Sequence, residues 1–451
     1  MSFVFTLDGC NVQCYLEDPN LILQRSDDTK DTFQVSDVIG IEISSKKDNK
    51  ERVSLFLHVI KRLEDKKWTR HMLELIGHTD ACQEFATNVQ QSLDKITKRP
   101  KKLLVFINPV SGSHTAVRMY EEEVSPLFKL ARINTTVIVS AREKHIEEAM
   151  TEYDYKAFDG IVVCGGDGSV NQCFVPLLKR TQEEADINYH DPDVKLKQIQ
   201  LPIGHIPFGT GNIFATIANG CVDVETAVLQ IIKGSVRHLH VSSIYSGGRW
   251  RGCSAIIAGF GVSAEFFKYT EGFRWMKTLR YLVVPFYFYL AKSHKTYNAD
   301  ITLYKKNPPT LGETDEVIDE GSISLKETVT VNLMDLLLFN VKLGDPFYYF
   351  GSESMDISSV KLRISTESNR FQLLGLFINN MLRAQGTYEY PEFVKNHQVT
   401  GYKIKINEPE LNNSEGGRYM LLLDGEELFI TESEWETRLQ KSVVAFYSDV
   451  F

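Results

Sequence analysis

The chain has 451 residues, which is long enough for two or three domains with sizeable cores. Its 43% hydrophobic and 24% charged content is typical of a soluble globular protein. The formal net charge of -9 argues against a general nucleic-acid binder, because such proteins gain most of their affinity by neutralising phosphates. The seven cysteines are scattered and lack the paired C-x-x-C spacing of a zinc site, which favours reduced thiols. We therefore expect a cytoplasmic protein with no nucleic-acid partner.

The sequence also limits how the chain can meet a membrane. The N-terminus has no basic region followed by a long apolar stretch, so no signal peptide is expected. The longest apolar run, 281–291, is about half the roughly 20 residues that a membrane-spanning helix needs, and Pro285 interrupts it. Any membrane contact is therefore predicted to be peripheral.

The first region, residues 1–97, alternates short apolar runs with polar turns. The predicted strands are 3–5, 12–15, 21–23, 39–43, 53–59 and 71–75. A helix is predicted from Asp80, as its N-cap, to Leu93. Several strands followed by one terminal helix resemble a pleckstrin-homology domain.

Two groups of basic residues lie in this region. They are Lys46, Lys47, Lys50 and Arg52, and then Lys61, Arg62, Lys66, Lys67 and Arg70. Either group fits contact with anionic lipid. An ordinary solvated surface fits equally well, because acidic residues are interleaved with the cations.

A second region is predicted at residues 98–237, after a basic, proline-bearing linker at 97–102. Apolar strands at 103–107, 136–140, 160–164 and 203–208 alternate with helical patterns, among them 143–153 and 224–233. This alternation predicts a doubly wound parallel α/β sheet. Ligands of such sheets bind beyond the carboxyl ends of the strands, which makes this region the predicted nucleotide-binding half.

One segment of that region, 159–169, changes from a buried strand to a glycine-rich turn and then to a helix. Glycines allow backbone N–H groups to approach an anion closely. A carboxylate among them would repel a phosphate, so Asp167 is predicted to accept a proton from a hydroxyl that attacks the phosphate. A purely structural strand-turn-helix remains the alternative.

The third region, residues 238–451, is β-rich. Strands are predicted at 239–244, 251–257, 297–304, 328–339, 360–364, 400–406 and 419–423, and helices at about 264–291 and 371–384. The pattern predicts an antiparallel, sandwich-like domain that binds the lipid, with an acidic insertion at about 305–325. The predicted fold class is thus α/β plus β.

Four short motifs follow one another along the chain. They are Asn108-Pro109-x-Ser111-Gly112, Gly165-Gly166-Asp167-Gly168, Gly209-Thr210-Gly211-Asn212 and Asp424-Gly425-Glu426. Together they resemble the diacylglycerol-kinase catalytic domain family of lipid kinases. The resemblance implies transfer of a phosphoryl group from ATP to a lipid hydroxyl, with ATP and Mg²⁺ bound.

Within that family the chain is most similar to the ceramide kinases, as the junction 99–109 and the segment 259–281 show. This implies phosphorylation of the primary hydroxyl of ceramide to ceramide 1-phosphate. The resemblance assigns to the nucleotide Asn108, Pro109, Val110, Ser111, Gly112, Ser140, Gln172, Gly209, Thr210, Gly211, Asn212, Arg274, Arg280, Asp424, Gly425 and Glu426. It places Gly165, Gly166, Asp167, Gly168 and Glu271 at the substrate and assigns no metal ligand.

The chain departs from the family pattern in ways that bear on its substrate. Gln172 stands where a glutamate is usual, and Ser140 replaces a threonine. The third motif is closer to that of diacylglycerol and sphingosine kinases. A sphingosine or diacylglycerol kinase and a catalytically weakened lipid-binding scaffold therefore remain alternatives. NAD kinase carries a Gly-Gly-Asp-Gly loop too, but the N-terminal region and the segment with Arg274 and Arg280 argue against it.

The segment 281–290 is apolar on every side of a helix. We expect Phe286 and Phe288 to line an acyl-chain pocket, with Phe371 and other apolar residues of the second helix at its mouth. A fully buried helix is the alternative, because its sequence would look the same.

Overall fold

The structure is a computed structural model. It describes residues 2–44, 51–112, 115–209, 211–305, 325–340, 359–382, 390–407 and 419–449. The chain divides into two compact units. The first comprises Met1–Ser169, Leu201–Arg237 and Phe446–Phe451, and the second comprises Val170–Gln200 and His238–Ala445. The three predicted domains stay a prediction, since the first unit contains both the N-terminal region and most of the α/β region.

The first unit begins with a seven-stranded sheet and a helix, which we call the N-terminal sheet. Its elements are β1 (Ser2–Leu7), β2 (Cys10–Glu17), β3 (Asn20–Arg25), β4 (Lys30–Gln34), β5 (Val38–Ser44), β6 (Arg52–Arg62), β7 (Trp68–His78) and α1 (Thr79–Asp94). The strands are antiparallel in the order β4-β3-β2-β1-β7-β6-β5. Its assignment as a pleckstrin-homology domain stays a prediction.

The six strands predicted in this region lie within β1, β2, β3, β5, β6 and β7. Only β4 was not predicted, because its sequence is mostly polar. Helix α1 buries Phe85, Val89 and Leu93 against the strands. The prediction of Asp80 as N-cap is wrong, because His78 holds the N-cap position and Asp80 lies in the first turn, where an acidic side chain favours the helix dipole.

The rest of the first unit alternates strands and helices. These are β8 (Lys102–Ile107), α2 (Ala116–Met119), α3 (Ser125–Leu130), β9 (Asn134–Val139), α4 (His145–Glu152), β10 (Gly160–Gly165), α5 (Asp167–Glu184), β11 (Ile203–Pro207), α6 (Ile213–Asn219) and α7 (Val224–Lys233). Of helix α5 the first unit contains only the start, and the remainder from Val170 belongs to the second unit. Strands β8 to β11 are parallel in the order β11-β10-β8-β9. After β8 the chain adds β9 on one side of the sheet and then β10 and β11 on the other side. The strand order therefore reverses between β8 and β10, and ligands of such sheets bind at this position.

Local sequence explains the elements that matter most for the site. Strand β10 is a continuous apolar run and is buried along its whole length, as expected for an inner parallel strand. Helix α7 begins at the N-cap Asp223, whose carboxylate accepts the N–H of Thr226 at 2.9 Å. It ends at Gly234, which takes the left-handed φ of +78° that glycine allows at a helix C-terminus.

The predicted linker at 97–102 is not a solvated connection. Arg99 and Pro100 are buried, and the Arg99 guanidinium donates to the carbonyls of Val38 (2.7 Å), Ile39 and Ala131 (3.3 Å). Burial lowers the pKa of Arg99 to about 10. The composition suggested a linker because basic residues are usually exposed; here one of them joins two parts of the first unit.

The second unit is built mostly from antiparallel strands. Its elements after α5 are β12 (Val236–Ser246), β13 (Arg249–Ser254), β14 (Ile257–Gly261), α8 (Val262–Glu271), α9 (Arg280–Ala291), β15 (Tyr297–Lys305), β16 (Leu325–Phe339), β17 (Val360–Thr366), α10 (Arg370–Leu382), β18 (Val394–Val399), β19 (Gly401–Ile406), β20 (Tyr419–Leu423), β21 (Glu426–Ile430) and β22 (Glu434–Tyr447). The last two residues of β22 belong to the first unit.

Strand β16 is central to the second unit, because it pairs with β14, β15 and β17. The seven predicted strands are found, and the mixed α/β and antiparallel fold is confirmed. Strands β14, β18, β21 and β22 were not predicted. The helix predicted at 264–291 is two helices, α8 and α9, separated by Gly272 and a 3₁₀ turn at Arg274–Leu279. The predicted insertion at 305–325 lies almost entirely outside the described residues.

Among the described residues, no single helix is long and apolar enough to cross a bilayer. Helices α6 and α7 together reach the necessary length and apolar content, but they are bent by 48° relative to each other.

Candidate functional site

The strand ends of the first unit bring three predicted loops together. The N–H of Asn108, after β8, donates to the carbonyl of Cys164 in β10 at 3.0 Å. The N–H of Ser140, after β9, donates to the carbonyl of Ile107 at 2.8 Å. The N–H groups of Phe208 and Gly209, after β11, both donate to the carbonyl of Gly165 at 3.0 and 3.1 Å. The loops 108–112 and 165–168 and the residues Gly209, Gly211 and Asn212 thus form one cluster at the carboxyl edge of the sheet, which we call the loop cluster.

Two glycines of the loop cluster approach so closely that no side chain fits between them. A Cβ atom added at Gly209 would lie 2.4 Å from the Cα of Gly166. At Gly112, φ is +59° and an added Cβ would lie 2.4 Å from the carbonyl oxygen of Phe208. The glycines are therefore required by backbone packing between loops, a reason that holds whether or not a phosphate binds.

Asn108 and Asn212 fix the two outer loops. The Asn108 amide donates to Ser169 Oγ at 2.9 Å, while its carbonyl accepts the N–H of Val110 at 3.2 Å. Asn212 bonds both backbone groups of Gly209: it accepts the N–H at 3.1 Å and donates to the carbonyl at 2.7 Å. Pro109 and Ser111 lie in the first of these loops, where Ser111 N–H closes a turn on the Asn108 carbonyl at 3.2 Å. Thr210 lies outside the described residues.

Asp167 connects the second loop to the third. Its carboxylate accepts the N–H of Ile213 at 3.0 Å and that of Phe214 at 2.9 Å, the first two residues of α6. Burial raises the pKa of Asp167 to about 6, although the two helix N–H groups act in the opposite direction. A carboxylate has about four acceptor sites, so two remain for other partners. A carboxylate with this pKa is ionised at neutral pH and can accept a proton.

Sequence reasoning missed His205, which lies in β11 beneath the loop cluster. Its ring is buried, and Nε2 donates to the carbonyl of Gly165 at 3.0 Å. Burial lowers the pKa of His205 to about 4, so the ring is neutral and its proton is on Nε2. The only signal in the sequence is a polar residue inside an apolar strand.

The remaining predicted site residues belong to the second unit. Arg280 is buried and pairs with Glu271 at 3.4 Å. Gln172 is half-buried in α5. Arg274 starts the 3₁₀ turn before α9, and its side chain is not among those described. The nucleotide contacts assigned to these residues stay a prediction.

Asp424 has a structural role that the sequence did not reveal. Its carboxylate is buried and accepts from the hydroxyl of Ser254 and from the N–H groups of Ala255, Ile256 and Ile257, at 2.6 to 2.9 Å. Oδ1 accepts from three of these donors and Oδ2 accepts the N–H of Ala255, so the carboxylate is held firmly inside the second unit. Its oxygens hold the turn between β13 and β14, and its predicted contact with the nucleotide stays a prediction. Gly425, at φ +95°, makes the turn into β21. Glu426 in that strand is exposed, and its predicted contact with the nucleotide stays a prediction.

The two phenylalanines predicted to line a lipid pocket have different surroundings. Phe288 is 1% exposed and packs against Phe266, Tyr289 and His294. It is part of the core, and its predicted lipid contact stays a prediction. Phe286, on the other side of α9, is 46% exposed.

The exposed side of α9 is apolar. It carries Leu282, Val283, Phe286 and Tyr287, each 46% to 59% exposed. A fully buried helix is therefore excluded. Apolar side chains grouped on one surface in this way mark a site that meets another apolar surface or ligand.

The described residues fit Mg²⁺ only as an ion that is held mainly by a bound nucleotide. Across the described ranges, no group of three or more His, Cys, Asp or Glu side chains is placed to hold a metal ion. The loop cluster offers Asp167 as a carboxylate. Mg²⁺ commonly binds through one or two carboxylates and through substrate phosphates, so these residues fit an ion carried mainly by a nucleotide.

The geometry defines an α/β domain whose glycine-rich loops meet around one ionisable carboxylate. Residues 102–244 match the family model of the diacylglycerol kinase catalytic domain, and the chain carries that domain. Human ceramide kinase is 33% identical over 226 residues, which cover 50% of this chain and 42% of that protein. Sphingosine kinase 1 of Arabidopsis thaliana is 34% identical over 188 residues, 41% of this chain and 36% of that one. The matches thus span less than half the length of these relatives.

Solved structures support the fold. A candidate diacylglycerol kinase from Bacillus anthracis str. Sterne aligns with a TM-score of 0.51 at 15% identity, covering 78% of this chain and 99% of that chain. This similarity concerns the fold alone.

Proposed function

We propose that the protein is an ATP-dependent lipid kinase that phosphorylates the primary hydroxyl of ceramide. The loop cluster around Asp167 is the observation that carries the proposal, because it combines closely packed backbone loops with one ionisable carboxylate. The diacylglycerol kinase catalytic domain supports the lipid kinase class. We choose ceramide because the match to human ceramide kinase is longer, 226 residues against 188 for the Arabidopsis thaliana sphingosine kinase 1 of similar identity.

In this proposal Asp167 acts as the general base. It takes the proton of the lipid hydroxyl as the oxygen attacks the γ-phosphorus of ATP, the bond to the β-phosphate oxygen breaks, and ADP leaves. The two α6 amides hold the carboxylate so that its unused acceptor sites are available to the hydroxyl. Little covalent chemistry is left to the protein, so orientation and electrostatics supply most of the acceleration.

The loops would bind the phosphates of ATP. At Gly112, Gly166 and Gly209 the loops pack backbone against backbone, without a Cβ atom between them. N–H groups of such loops bind anions well. Mg²⁺, when bound with the nucleotide, would neutralise phosphate charge. Asp167 is the described carboxylate of the cluster that is placed to reach it.

The exposed apolar side of α9 supports a lipid substrate. A lipid must leave a bilayer to react, and a peripheral contact made by apolar and aromatic side chains would lower the cost of that step. We assign this role to Phe286 and Tyr287 and propose a cytoplasmic protein that associates peripherally with membranes. We also propose that the N-terminal sheet is a pleckstrin-homology-like domain.

A lipid panel tests the proposal. Purified protein would be incubated with labelled ATP, Mg²⁺ and mixed micelles of ceramide, sphingosine or diacylglycerol, and the products separated. We expect ceramide 1-phosphate as the main product. Sphingosine 1-phosphate or phosphatidic acid as the main product would keep the kinase and replace the substrate. ATP binding without turnover of any of the lipids would favour a lipid-binding scaffold, the alternative suggested by Gln172 and Ser140.

A further inference from the structure

The N-terminal sheet is bonded directly to helix α7 of the same unit. At the start of β7, the N–H of Trp68 donates to Thr226 Oγ1 at 2.9 Å, and Thr226 is fully buried. The N–H of Arg70 and the hydroxyl of Thr69 donate to the carboxylate of Glu225 at 2.8 and 3.0 Å. These bonds join residues about 155 positions apart in the chain, and both acceptors belong to the first turn of α7.

A cluster of charged side chains joins the N-terminal sheet to the other end of α7. Arg62 makes a bidentate ion pair with Asp37 at 2.8 and 2.9 Å. Lys233, the last residue of α7, pairs with Asp37 at 3.3 Å and with Asp449 at 2.9 Å. The side chains of Asp37, Lys233 and Asp449 are only 11% to 13% exposed, so solvent screens these pairs less than surface ion pairs.

Apolar packing makes the contact part of a core. Ile39, Ile60 and Trp68 of the N-terminal sheet share one buried cluster with residues of α7 and of strands β8, β10 and β11. At Gly40 the backbones are so close that a Cβ would lie 2.2 Å from the carbonyl oxygen of Leu130. Together with the buried Arg99, this packing shows that the N-terminal sheet is not a separately tethered domain in this structure.

Helix α7 is linked in turn to the residues that hold Asp167. The side chain of Gln230 in α7 donates to the carbonyl of Asn219, the last residue of α6, at 3.0 Å. The side chain of Asn219 donates to the carbonyl of His205 at 3.3 Å. At its other end, α6 presents the N–H groups that bind the Asp167 carboxylate. A continuous series of hydrogen bonds therefore runs from β7 through α7 and α6 to Asp167.

We infer that docking of the N-terminal sheet on α7 holds α6 in place, and through it the orientation of Asp167. Thr226 and Glu225 are the positioning residues of this device. The sheet then has a role in the reaction itself, beside any role in finding a membrane. The catalytic consequence rests on the proposed function, whereas the mechanical coupling does not.

Hydrogen–deuterium exchange of the full-length protein tests the coupling without any assay of activity. Thr226→Val keeps the shape of the side chain and leaves the N–H of Trp68 without its acceptor. We expect the amides of Ile213 and Phe214 to exchange about tenfold faster, while those of β10 keep their rates. Thr226→Ser, which restores the hydroxyl, should return exchange to the wild-type rate.

A second variant and two controls separate the coupling from a general loosening of the fold. Glu225→Ala removes the partner of Thr69 and Arg70 and should have the same effect on α6 as Thr226→Val. Thr87→Val, at an exposed position of α1, and Glu147→Ala, in the first turn of α4, make the same chemical changes at sites that bear neither contact. Both controls should leave exchange in α6 unchanged.

The outcomes are distinct. Faster exchange confined to the N-terminal sheet, with α6 unchanged in both test variants, would overturn the inference. If the wild type phosphorylates lipid, Thr226→Val should lower kcat about tenfold below the melting temperature, with the KM for lipid unchanged. If it phosphorylates no lipid, the proposed function fails, and faster exchange in α6 would still support the coupling.

Discussion

Two Asp-Gly pairs of this protein look alike in the sequence and differ in the structure. Asp167-Gly168 follows the buried strand β10, and Asp424-Gly425 follows the buried strand β20. The carboxylate of Asp167 accepts two backbone N–H groups and keeps acceptor sites unused. The carboxylate of Asp424 accepts four donors and lies 5% exposed.

The two carboxylates differ in how many hydrogen bonds they accept from the fold, and this number separates a reactive role from a structural one. With four donors, three of them on Oδ1, the buried carboxylate of Asp424 holds the turn at 254–257. With two donors from a helix N-terminus, Asp167 is fixed in direction and still able to accept a proton. A residue's chemistry here depends on how many of its hydrogen-bonding sites the fold already uses.

The largest effect is expected from Asp167→Asn. The amide has the same shape and cannot take up a proton, so kcat for lipid phosphorylation should fall by ~10²-fold or more. ATP affinity, measured by titration calorimetry, should change little. Normal turnover in this variant would remove Asp167 from the role of base.

Asp424→Asn should act on stability instead. Replacing one carboxylate oxygen by an NH₂ group places a donor against a donor and leaves a buried N–H unpaired, at a cost of about 2–3 kcal/mol. The melting temperature measured by calorimetry should fall by roughly 5–10 °C. The activity of the molecules that remain folded should stay within about threefold of wild type. A strong loss of activity at an unchanged melting temperature would place Asp424 in the nucleotide site after all.

The pH dependence of the reaction should report Asp167. Since burial raises its pKa to about 6, the ionised base is present above this pH and is lost below it. We expect kcat/KM to be level above about pH 7 and to fall about tenfold per pH unit below about pH 6. The residual activity of Asp167→Asn should lack this decline. An identical acid limb in that variant would assign the titration to another group or to ATP.

Phe286→Ala and Phe288→Ala separate the two sides of α9. Phe286 is exposed, so its loss should leave the melting temperature nearly unchanged and raise the KM for long-chain lipid by about three- to tenfold. Phe288 is core, so its loss should lower stability, with ATP and lipid affected together. If Phe286→Ala leaves the KM for lipid unchanged, the exposed side of α9 does not meet the substrate.

Gln172→Glu should give the smallest effect. It restores the carboxylate usual in the family at a half-buried position and should change the affinity for ATP or Mg²⁺ by less than about threefold. Titration calorimetry with and without Mg²⁺ would measure it. A shift in lipid preference in the product panel would instead assign Gln172 to the lipid.

The sequence determined the parts of this protein that depend on local pattern. Apolar runs of four to eight residues predicted β8 to β11, and the glycine motifs marked the loops that meet at their ends. Contact between loops was not visible, because Gly166 and Gly209 belong to segments about 40 positions apart. Polar or irregular strands such as β4 and β18 were missed, because pairing with a neighbour stabilises them more than their own composition does.

Tertiary contacts determine which charged residues are exposed and which are buried and support the fold. Arg99 and Asp424 carry the composition of a linker and of a hairpin turn, yet both are buried and are hydrogen-bonded to several backbone groups. The α9 sequence is apolar throughout, and only packing against α8 and α10 separates the buried Phe288 from the exposed Phe286. Sequence patterns record what a segment can bury. Which of its groups are in fact buried, and which hydrogen-bonding sites stay open, depends on partners far along the chain.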